Sequence, residues 1–392
     1  MGTKATKRDN GNGCIVQRKD GRWEARLQIG TKDDGKPRIK SLYGKTESDV
    51  KKKLREYKIE TAKGIYEVSK INLSNYTDNW LKTYKYNSLK RSSYDRLENT
   101  YNHHIKDTIG YIQMGNITTH DIQKLLNEKS NTLSFSSIKK IYELLNPLFK
   151  HAILLGDIKK NPMLGVIMPK KKDLNVQTKE IDIYSDEDID KLIKTINSTF
   201  TDKCKLYRYS PIYIVLLNTG IRMGEALSIK WDQVNFNNKT LRIRENISYV
   251  KSREDEDNDN KRVIIFTDTK TKNGNRVIPL NSKAIEALKE IRRRNEIQNI
   301  NSEYVVSDLN GNYVLPRNFS RTLEMLCNRA GVKFVGTHAT RHTFASNAIR
   351  KGIDVKIVSE ILGHSNIQLT YNRYVHIIQE QKMAAVQVLE AL

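Results

Sequence analysis

The stretch THATRHTF, residues 337–344, places two histidines and an arginine within five residues of an otherwise ordinary amphipathic segment. On a helix His338, Arg341 and His342 would lie close together, because residues three and four apart are neighbours on a helical surface. Such a group suits a metal ion or a phosphate, and it is also compatible with a packed helix end that binds nothing. The rest of the chain decides among these three interpretations.

A zinc site is the first alternative, since two histidines four residues apart on a helix bind zinc in metalloproteases. In that pattern a glutamate directly follows the first histidine, whereas Ala339 follows His338 in this chain. His364 is a third candidate ligand, but no thiolate or carboxylate stands near it in the sequence. We therefore expect no metal and no other cofactor.

A phosphate ligand is the second alternative. The planar guanidinium of Arg341 matches two non-bridging phosphate oxygens, and a histidine donates or accepts a proton near neutral pH. Transfer of a phosphodiester without a metal needs several such groups, a nucleophile and a proton donor for the leaving oxygen. These groups should therefore be found among side chains elsewhere in the chain.

Two stretches supply further cationic side chains. In TGIRMGE, residues 219–225, Arg222 follows a buried apolar run and stands beside glycines that let the backbone approach a ligand closely. In TDTKTKNGNRVIPL, residues 267–280, Lys270 and Lys272 precede an Asn-Gly pair, which is a strong hairpin signal. A phosphate would be well neutralised by such a set.

The stretch LGHSNIQLTYNRYVH, residues 362–376, supplies His364 and two tyrosines, Tyr371 and Tyr374. A phenol suits reversible attachment to phosphorus, because it is a better leaving group than an alkyl alcohol. These residues therefore complete the requirement for a covalent nucleophile.

The composition of the chain points to a polyanionic partner. It has 392 residues with 68 Lys and Arg against 45 Asp and Glu, a formal net charge of +23. Phosphate neutralisation with release of counterions drives nucleic-acid binding by such proteins. Hydrophobic residues make up 38% of the chain, enough for folded domains, and the length indicates two or three of them.

The cysteines and the N-terminus indicate where the protein acts. Cys14, Cys204 and Cys327 are far apart and form no CxxC pair, which is typical of a reducing compartment. The first ten residues lack the apolar core of a signal peptide, and no run is long enough to span a bilayer. We expect a cytoplasmic protein with no membrane partner.

The first segment, residues 1–66, reads as a three-stranded sheet with one helix, and its basic residues outnumber the acidic ones two to one. In residues 22–29 apolar and polar side chains alternate strictly, as in a half-buried strand. Arg22, Arg26 and Gln28 lie on the polar face. These three residues are our candidates for contacts in a DNA groove, and a merely solvated face is the alternative.

Two further segments follow. Residues 72–168 contain helical runs without a strand pattern, and residues 169–180 are polar, basic and typical of a linker. From residue 181 the chain mixes helices with strand-like runs at 240–250, 261–268 and 276–280. The sequence thus predicts a multi-domain chain with a small α+β domain, an all-α domain, and a mixed, mainly α domain with a small antiparallel sheet.

The stretches TGIRMGEAL, TKTKNGNRVIPL, HATRHTF, LGHS and TYNRYVH resemble the tyrosine recombinase (phage integrase) family in order and spacing. The likeness covers all of residues 181–392, which would be the catalytic domain with a C-terminal tail. Residues 72–168 resemble the core-DNA-binding domain of this family. Residues 1–66 resemble the arm-type DNA-binding domain of integrases from conjugative transposons and phages.

The resemblance implies a role for each site residue. Arg222 and Arg341 would clamp the scissile phosphate, and His338 and His364 would transfer protons or donate hydrogen bonds. Tyr374 would attack phosphorus; the family pattern sets the nucleophile four residues after Thr370, so Tyr371 is assigned to packing.

The resemblance also implies that Lys270, or else Lys272, would protonate the departing 5′ oxygen. Glu225 matches an acidic position that orients the pocket.

The implied function is site-specific recombination, with double-stranded DNA at core and arm sites as substrate and four protomers assembled on two sites. An accessory excision factor or a DNA-bending protein would assist. A type IB topoisomerase and a non-catalytic DNA-binding regulator are the alternatives. The apolar edge of the tail, from Met383 to Leu392, fits docking on a neighbouring subunit or on its own domain equally well.

Overall fold

The computed structural model describes residues 13–18, 20–31, 37–62, 70–176, 182–198, 200–201, 207–253, 262–268 and 274–375. The chain forms two compact units, Met1–Thr178 and Lys179–Leu392. The finer division predicted above, with domains at 1–66 and 72–168, a linker at 169–180 and a domain at 181–392, stays a prediction. Within the described ranges no helix is both long and apolar enough to cross a membrane.

The first unit begins with an antiparallel sheet in the order β1-β2-β3, followed by one helix. The elements are β1 (Cys14–Gln17), β2 (Trp23–Thr31), β3 (Pro37–Gly44) and α1 (Glu47–Ala62). Ala25 and Leu27 on the apolar face of β2 pack against Val50 and Leu54 of α1. The hydroxyl of Thr46 caps α1 by accepting a hydrogen bond from the Asp49 amide. The predicted alternation and its helix are confirmed.

The rest of the first unit is helical around its own apolar core. Its elements are α2 (Leu73–Trp80), a π-helical turn (Leu81–Lys85), α3 (Arg91–His104), a 3₁₀ turn (Met114–Asn116), α4 (Thr119–Ser130), α5 (Phe135–Leu155) and a 3₁₀ turn (Lys171–Asp173). Leu145 and Phe149 of α5 are fully buried in this core. The apolar pattern changes from period 2 in β2 to period 3.6 in α5 because the first is a half-buried strand and the second is a helix.

The second unit is mainly helical and contains the largest apolar core. Its helices are α6 (Asp186–Ser198), α7 (Ile212–Thr219), α8 (Met223–Ser228), a 3₁₀ turn (Trp231–Gln233), α9 (Ser282–Ile297), α10 (Pro316–Ala330), α11 (His338–Arg350), α12 (Val355–Leu362) and α13 (residues 367–375). The first five residues of α7, Ile212 to Leu216, are all buried, as expected of a helix packed against several neighbours.

The described strands of the second unit form two sheets, whereas the sequence predicted one. The strands are β4 (Val234–Asn235), β5 (Thr240–Ile243), β6 (Glu245–Lys251), β7 (Arg262–Asp268) and β8 (Arg276–Pro279). The run 240–250 breaks at Arg244, so β5 joins β4 and β8 while β6 pairs with β7. The predicted turn begins at Asn273, which lies outside the described residues, and the flanking strands β7 and β8 belong to different sheets.

Candidate active site

Arg222 lies where α7 gives way to α8. Helix α7 ends at Gly220 in the left-handed conformation, with φ of 64°, which a glycine adopts without strain. A Cβ on Gly220 would collide with the Phe344 ring of α11 and with Leu362 of α12. Only glycine therefore lets these helices approach the turn that carries Arg222.

Arg341 is buried, with 5% of its surface exposed, and it ties three elements together. Its Nη1 donates to the carbonyl of Gly220 at 2.8 Å, and its Nη2 donates to the carbonyl of Leu362 at 2.8 Å. Neither carbonyl carries a net charge. Burial, and next the charge of Arg222, lower the pKa of Arg341 to about 9. A buried cation of this kind is a ready partner for an anion.

His364 is held in one tautomer by its two neighbours. Nη2 of Arg341 lies 2.8 Å from Nε2 of His364, and only the histidine can accept that hydrogen bond. The ring proton therefore sits on Nδ1, which donates to the hydroxyl of Thr370 at 2.6 Å. Burial, and then the charge of Arg341, lower the pKa of His364 to about 4. At neutral pH this ring is uncharged.

Glu225 organises the opposite side of the site. Its carboxylate accepts hydrogen bonds from the Arg222 amide and from the Arg222 guanidinium, both at 2.8 Å. Arg276 of β8 reaches the same carboxylate, and Glu225 itself is 2% exposed. Burial raises the pKa of Glu225, but the hydrogen bonds and charge of Arg276 and Arg222 outweigh it, and the pKa is lowered. The carboxylate is therefore ionised and fixes the direction of Arg222.

Tyr374 of α13 packs into a small apolar cluster and is 2% exposed. Its hydroxyl lies 2.9 Å from Nδ1 of His342. The ring of His338 stands edge-on to that of His342, with 6.0 Å between centroids. Burial raises the pKa of Tyr374 to about 12 and lowers that of His342 to about 4. The phenol and the imidazole are therefore both neutral at pH 7.

The structure thus brings most of the predicted site residues into one unit. Arg341 contacts His364, and His342 contacts both His338 and Tyr374. The charge of Arg222 acts on Arg341, His338 and His364. The catalytic roles of these residues stay predictions. Tyr371, assigned to packing, is 38% exposed.

Several other predictions fall on different parts of the chain. Lys270 and Lys272 lie outside the described residues, as does the tail beyond residue 375. The side chains of Arg22, Arg26 and Gln28 are exposed on the first unit.

The sequence motifs do not predict the contacts of two side chains in this site. His342 is a candidate zinc ligand by its spacing from His338, and Arg276 lies in the motif TKTKNGNRVIPL without a predicted role. Among the described residues no three His, Cys, Asp or Glu side chains lie together as a metal site would need. The sequence does indicate that His342 lies near the site, because it follows Arg341 on the same predicted helix. A buried imidazole also needs a hydrogen-bond partner.

Comparisons with known proteins identify the family of the chain. A model of the phage integrase family matches residues 183–381, more than half of the chain, and a model of the phage integrase N-terminal SAM-like domain matches residues 72–130. A "Tyrosine recombinase XerC-like" protein of Caldanaerobacter subterraneus subsp. tengcongensis is 31% identical, over 93% of this chain and 95% of that protein. The chain belongs to the phage integrase family. It is a tyrosine recombinase, a site-specific DNA recombinase, and the predicted family and enzyme class are confirmed.

Solved structures share the fold of this recombinase. The Tn1549 transposon integrase in complex with a circular intermediate DNA superposes with a TM-score of 0.64 at 19% identity, covering 81% of this chain and 99% of that one. A lambda integrase tetramer bound to a Holliday junction superposes with a TM-score of 0.55 at 17% identity, covering 94% and 96%. At such identities the likeness establishes the fold, and the predicted fold class is confirmed.

Proposed function

We propose that this recombinase is the integrase of a conjugative transposon or a phage, and that it cuts and rejoins DNA through a 3′-phosphotyrosine at Tyr374. The main observation in support of this proposal is the group of hydrogen-bonded side chains around Arg341 and Tyr374 in the second unit. Arg341 bridges His364 and Gly220, which lies two residues before Arg222, while Tyr374 is hydrogen-bonded to the histidine that follows Arg341. A phosphate clamp and a nucleophile thus lie on neighbouring elements.

The two arginines would bind the scissile phosphate and stabilise charge that develops on its oxygens. Arg341 is a buried cation whose described hydrogen bonds run to uncharged groups, so a phosphate would supply the missing negative charge. Arg222 keeps 35% of its side chain exposed while Glu225 fixes its direction. Preorganised donors of this kind act most strongly where water is excluded.

The nucleophile and the acid would complete the reaction. The Tyr374 oxygen attacks phosphorus and retains the 3′ end, while Lys270, with Lys272 as the alternative, protonates the departing 5′ oxygen. His338 and His364 support the phosphate by hydrogen bonds or proton transfer. The phosphotyrosine conserves the energy of the phosphodiester, so neither ATP nor a divalent metal is needed for rejoining.

We further propose the partners that integration requires. Residues 1–66 would bind arm sites, and residues 72–168 would bind the core site. The linker 169–180 would connect residues 72–168 to the catalytic domain. The Tn1549 integrase structure is a complex with a circular intermediate DNA, and the lambda integrase structure is a tetramer bound to a Holliday junction. These complexes support the proposal of four protomers on two duplexes. An excision factor or DNA-bending protein would complete the assembly, at the bacterial nucleoid in the cytoplasm.

A covalent-trapping experiment tests the proposal. Wild-type protein is incubated in EDTA with a labelled core site whose nicked strand diffuses away after cleavage, and the products are separated on a denaturing gel. A protein–DNA adduct at the 3′ end is expected. Plasmids with and without paired attachment sites distinguish the recombinase from a topoisomerase, because only the former requires both sites to change the products. No adduct, or strong inhibition by EDTA, contradicts the mechanism.

A further inference from the structure

His342 is the described hydrogen-bond partner of the Tyr374 hydroxyl. Its Nδ1 lies 2.9 Å from the phenolic oxygen, within the range of a strong hydrogen bond. The two rings are tilted by 59°, with their centroids 6.3 Å apart, so the contact runs through the ring edges. His342 immediately follows Arg341 on α11, which connects it rigidly to the phosphate clamp.

The protonation states of the pair favour one direction for this hydrogen bond. Burial is the main cause that lowers the pKa of His342 to about 4, followed by the charges of Arg373, His338 and Arg341. Burial raises the pKa of Tyr374 to about 12, although Arg373 and Arg341 act in the opposite sense. A protonated phenol beside a neutral imidazole is the arrangement of a proton donor facing a base.

The other histidine with a defined hydrogen-bond network is already engaged. Nε2 of His364 accepts from Arg341, and its Nδ1 contacts Thr370. His364 therefore has no ring nitrogen available for the phenolic proton while these contacts persist. His338 contacts His342 through its ring, which positions it beside the base.

We propose that His342 is a catalytic residue whose Nδ1 takes the phenolic proton of Tyr374 during strand cleavage. This inference rests on the proposed function of Tyr374 as the nucleophile. It requires the tautomer with the proton on Nε2, so that the phenol donates to Nδ1. The alternative tautomer would hold the tyrosine oxygen in place without accepting its proton.

The step balances in atoms and charge. The bond from the Tyr374 oxygen to phosphorus forms, and the bond from phosphorus to the 5′ oxygen breaks. The phenolic proton moves to His342, which becomes an imidazolium. The 5′ oxygen takes a proton from the proposed lysine acid, Lys270 or else Lys272, which becomes a neutral amine. The protein and the DNA together neither gain nor lose a proton. Rejoining returns each proton along the same path.

Two substitutions separate proton transfer from simple positioning. His342→Asn places an amide oxygen near the position of Nδ1, where it accepts a hydrogen bond but takes no proton. His342→Ala removes both functions. We expect both variants to slow single-turnover cleavage by about 10²-fold or more at neutral pH, the usual contribution of a general base. Gel-shift affinity for the core site and circular dichroism should match wild type.

The pH profile is the second readout. Wild-type cleavage should stay nearly constant between about pH 6 and 9, because the base is unprotonated throughout this range. In both variants the phenol must lose its proton to solvent, so the rate should rise about tenfold per pH unit over the same range. The surrounding charges of His338, Arg341 and Arg373 are the same in every protein compared.

Several outcomes overturn the inference. A wild-type rate with a flat profile in His342→Asn would leave His342 a positioning residue, and unchanged rates in both variants would remove it from the reaction. Asn347→Ala is the matched control on α11, since Asn347 contacts Asp186 rather than Tyr374, and it should cleave as wild type does. Other results would contradict the proposed function of Tyr374 itself. The wild type would then form no adduct, or Tyr374→Phe would still form one.

Discussion

Arg276 holds Glu225 through two parallel hydrogen bonds, from Nη1 to Oε1 at 3.0 Å and from Nη2 to Oε2 at 2.9 Å. Its third nitrogen, Nε, donates to the carbonyl of Ile361 in α12 at 2.7 Å. One side chain of β8 therefore connects the carboxylate that orients Arg222 with the helix that precedes His364. Both partners of the ion pair are buried, at 8% and 2% side-chain exposure.

The first prediction follows from the burial of this pair. Arg276→Ala should lower the free energy of unfolding by about 3 kcal/mol, because removing one partner leaves a buried carboxylate short of compensation. Urea unfolding measures this loss. Combining Arg276→Ala with Glu225→Gln should recover part of it. Arg293→Ala, which removes an exposed pair with Glu290, is the matched control and should cost less than about 1 kcal/mol.

The second prediction concerns the nucleophile. Tyr374→Phe removes only the phenolic oxygen, so we expect full DNA binding and no covalent adduct on the trapping substrate. Tyr371→Phe is the matched control, because Tyr371 is an exposed tyrosine of the same helix and should form the adduct at the wild-type rate. An adduct with Tyr374→Phe would move the nucleophile elsewhere.

The third prediction separates the two arginines. Arg222→Ala and Arg341→Ala should each slow cleavage on the order of 10²–10³-fold while leaving duplex affinity nearly unchanged, since each contributes to charge at the transition state. They should differ in stability. Arg341→Ala leaves the carbonyls of Gly220 and Leu362 without their donor, which costs about 1–3 kcal/mol for each unsatisfied group. Single-turnover rates and thermal melts of both variants test this, and cleavage within a few-fold of wild type would reject the clamp.

The sequence predicted most of the side chains that the structure brings together, because these residues lie in short motifs. Arg222 follows a glycine stop after a buried helix, and His338 and Arg341 share the first turn of α11. Such placements are local, so spacing along the chain predicts them. Gly220 illustrates this, since the same residue that ends α7 also admits the neighbouring helices.

The spacing and periodicity of the sequence do not predict contacts between distant segments. His342 and Tyr374 are 32 residues apart, and Arg276 and Glu225 are 51 apart. Their pairing depends on how α11, α13 and β8 pack, which periodicity does not encode. For the same reason the run 240–250 read as one strand, although Arg244 divides it between two sheets.

The fourth prediction concerns the loss of folding stability at acidic pH. The pKa values of His342 and His364 are about 4 in the folded protein, below the ordinary value of 6.5. Between these values the unfolded chain binds more protons, so the free energy of unfolding should fall as the pH drops from 6.5 towards 4. Above pH 6.5 this contribution is fully present.

Thermal melts at several pH values test the acid prediction. His342→Asn and His364→Asn should each flatten the dependence of the melting temperature on pH in this window. Asn347→Ala has no titratable group at its position and should keep the wild-type slope. Equal slopes in all four proteins would mean that other groups cause the acid sensitivity.

The fifth prediction concerns the polar face of β2. Arg22 contacts Asp20 at 2.7 Å, and Arg26 contacts Glu24 at 3.0 Å. Glu24 is only 2% exposed because the side chains of Arg18 and Arg26 cover it. Both arginine side chains are more exposed than their acidic partners, so a bound DNA phosphate or base would compete with Asp20 and Glu24 for them.

If residues 1–66 bind arm sites, deleting them should leave adduct formation at a core site intact and abolish integrative recombination. The predicted catalytic residues all lie beyond residue 180, and the deletion removes the second DNA contact that raises the local concentration of one duplex near another. In the full chain, Arg22→Ala with Arg26→Ala should weaken arm-site binding and reduce its dependence on salt, because two cationic contacts with the DNA are lost. The apolar side chains Ala25 and Leu27 face α1, so circular dichroism should show the sheet unchanged. Unchanged arm affinity in the folded double variant would transfer the DNA contacts to another face of the first unit.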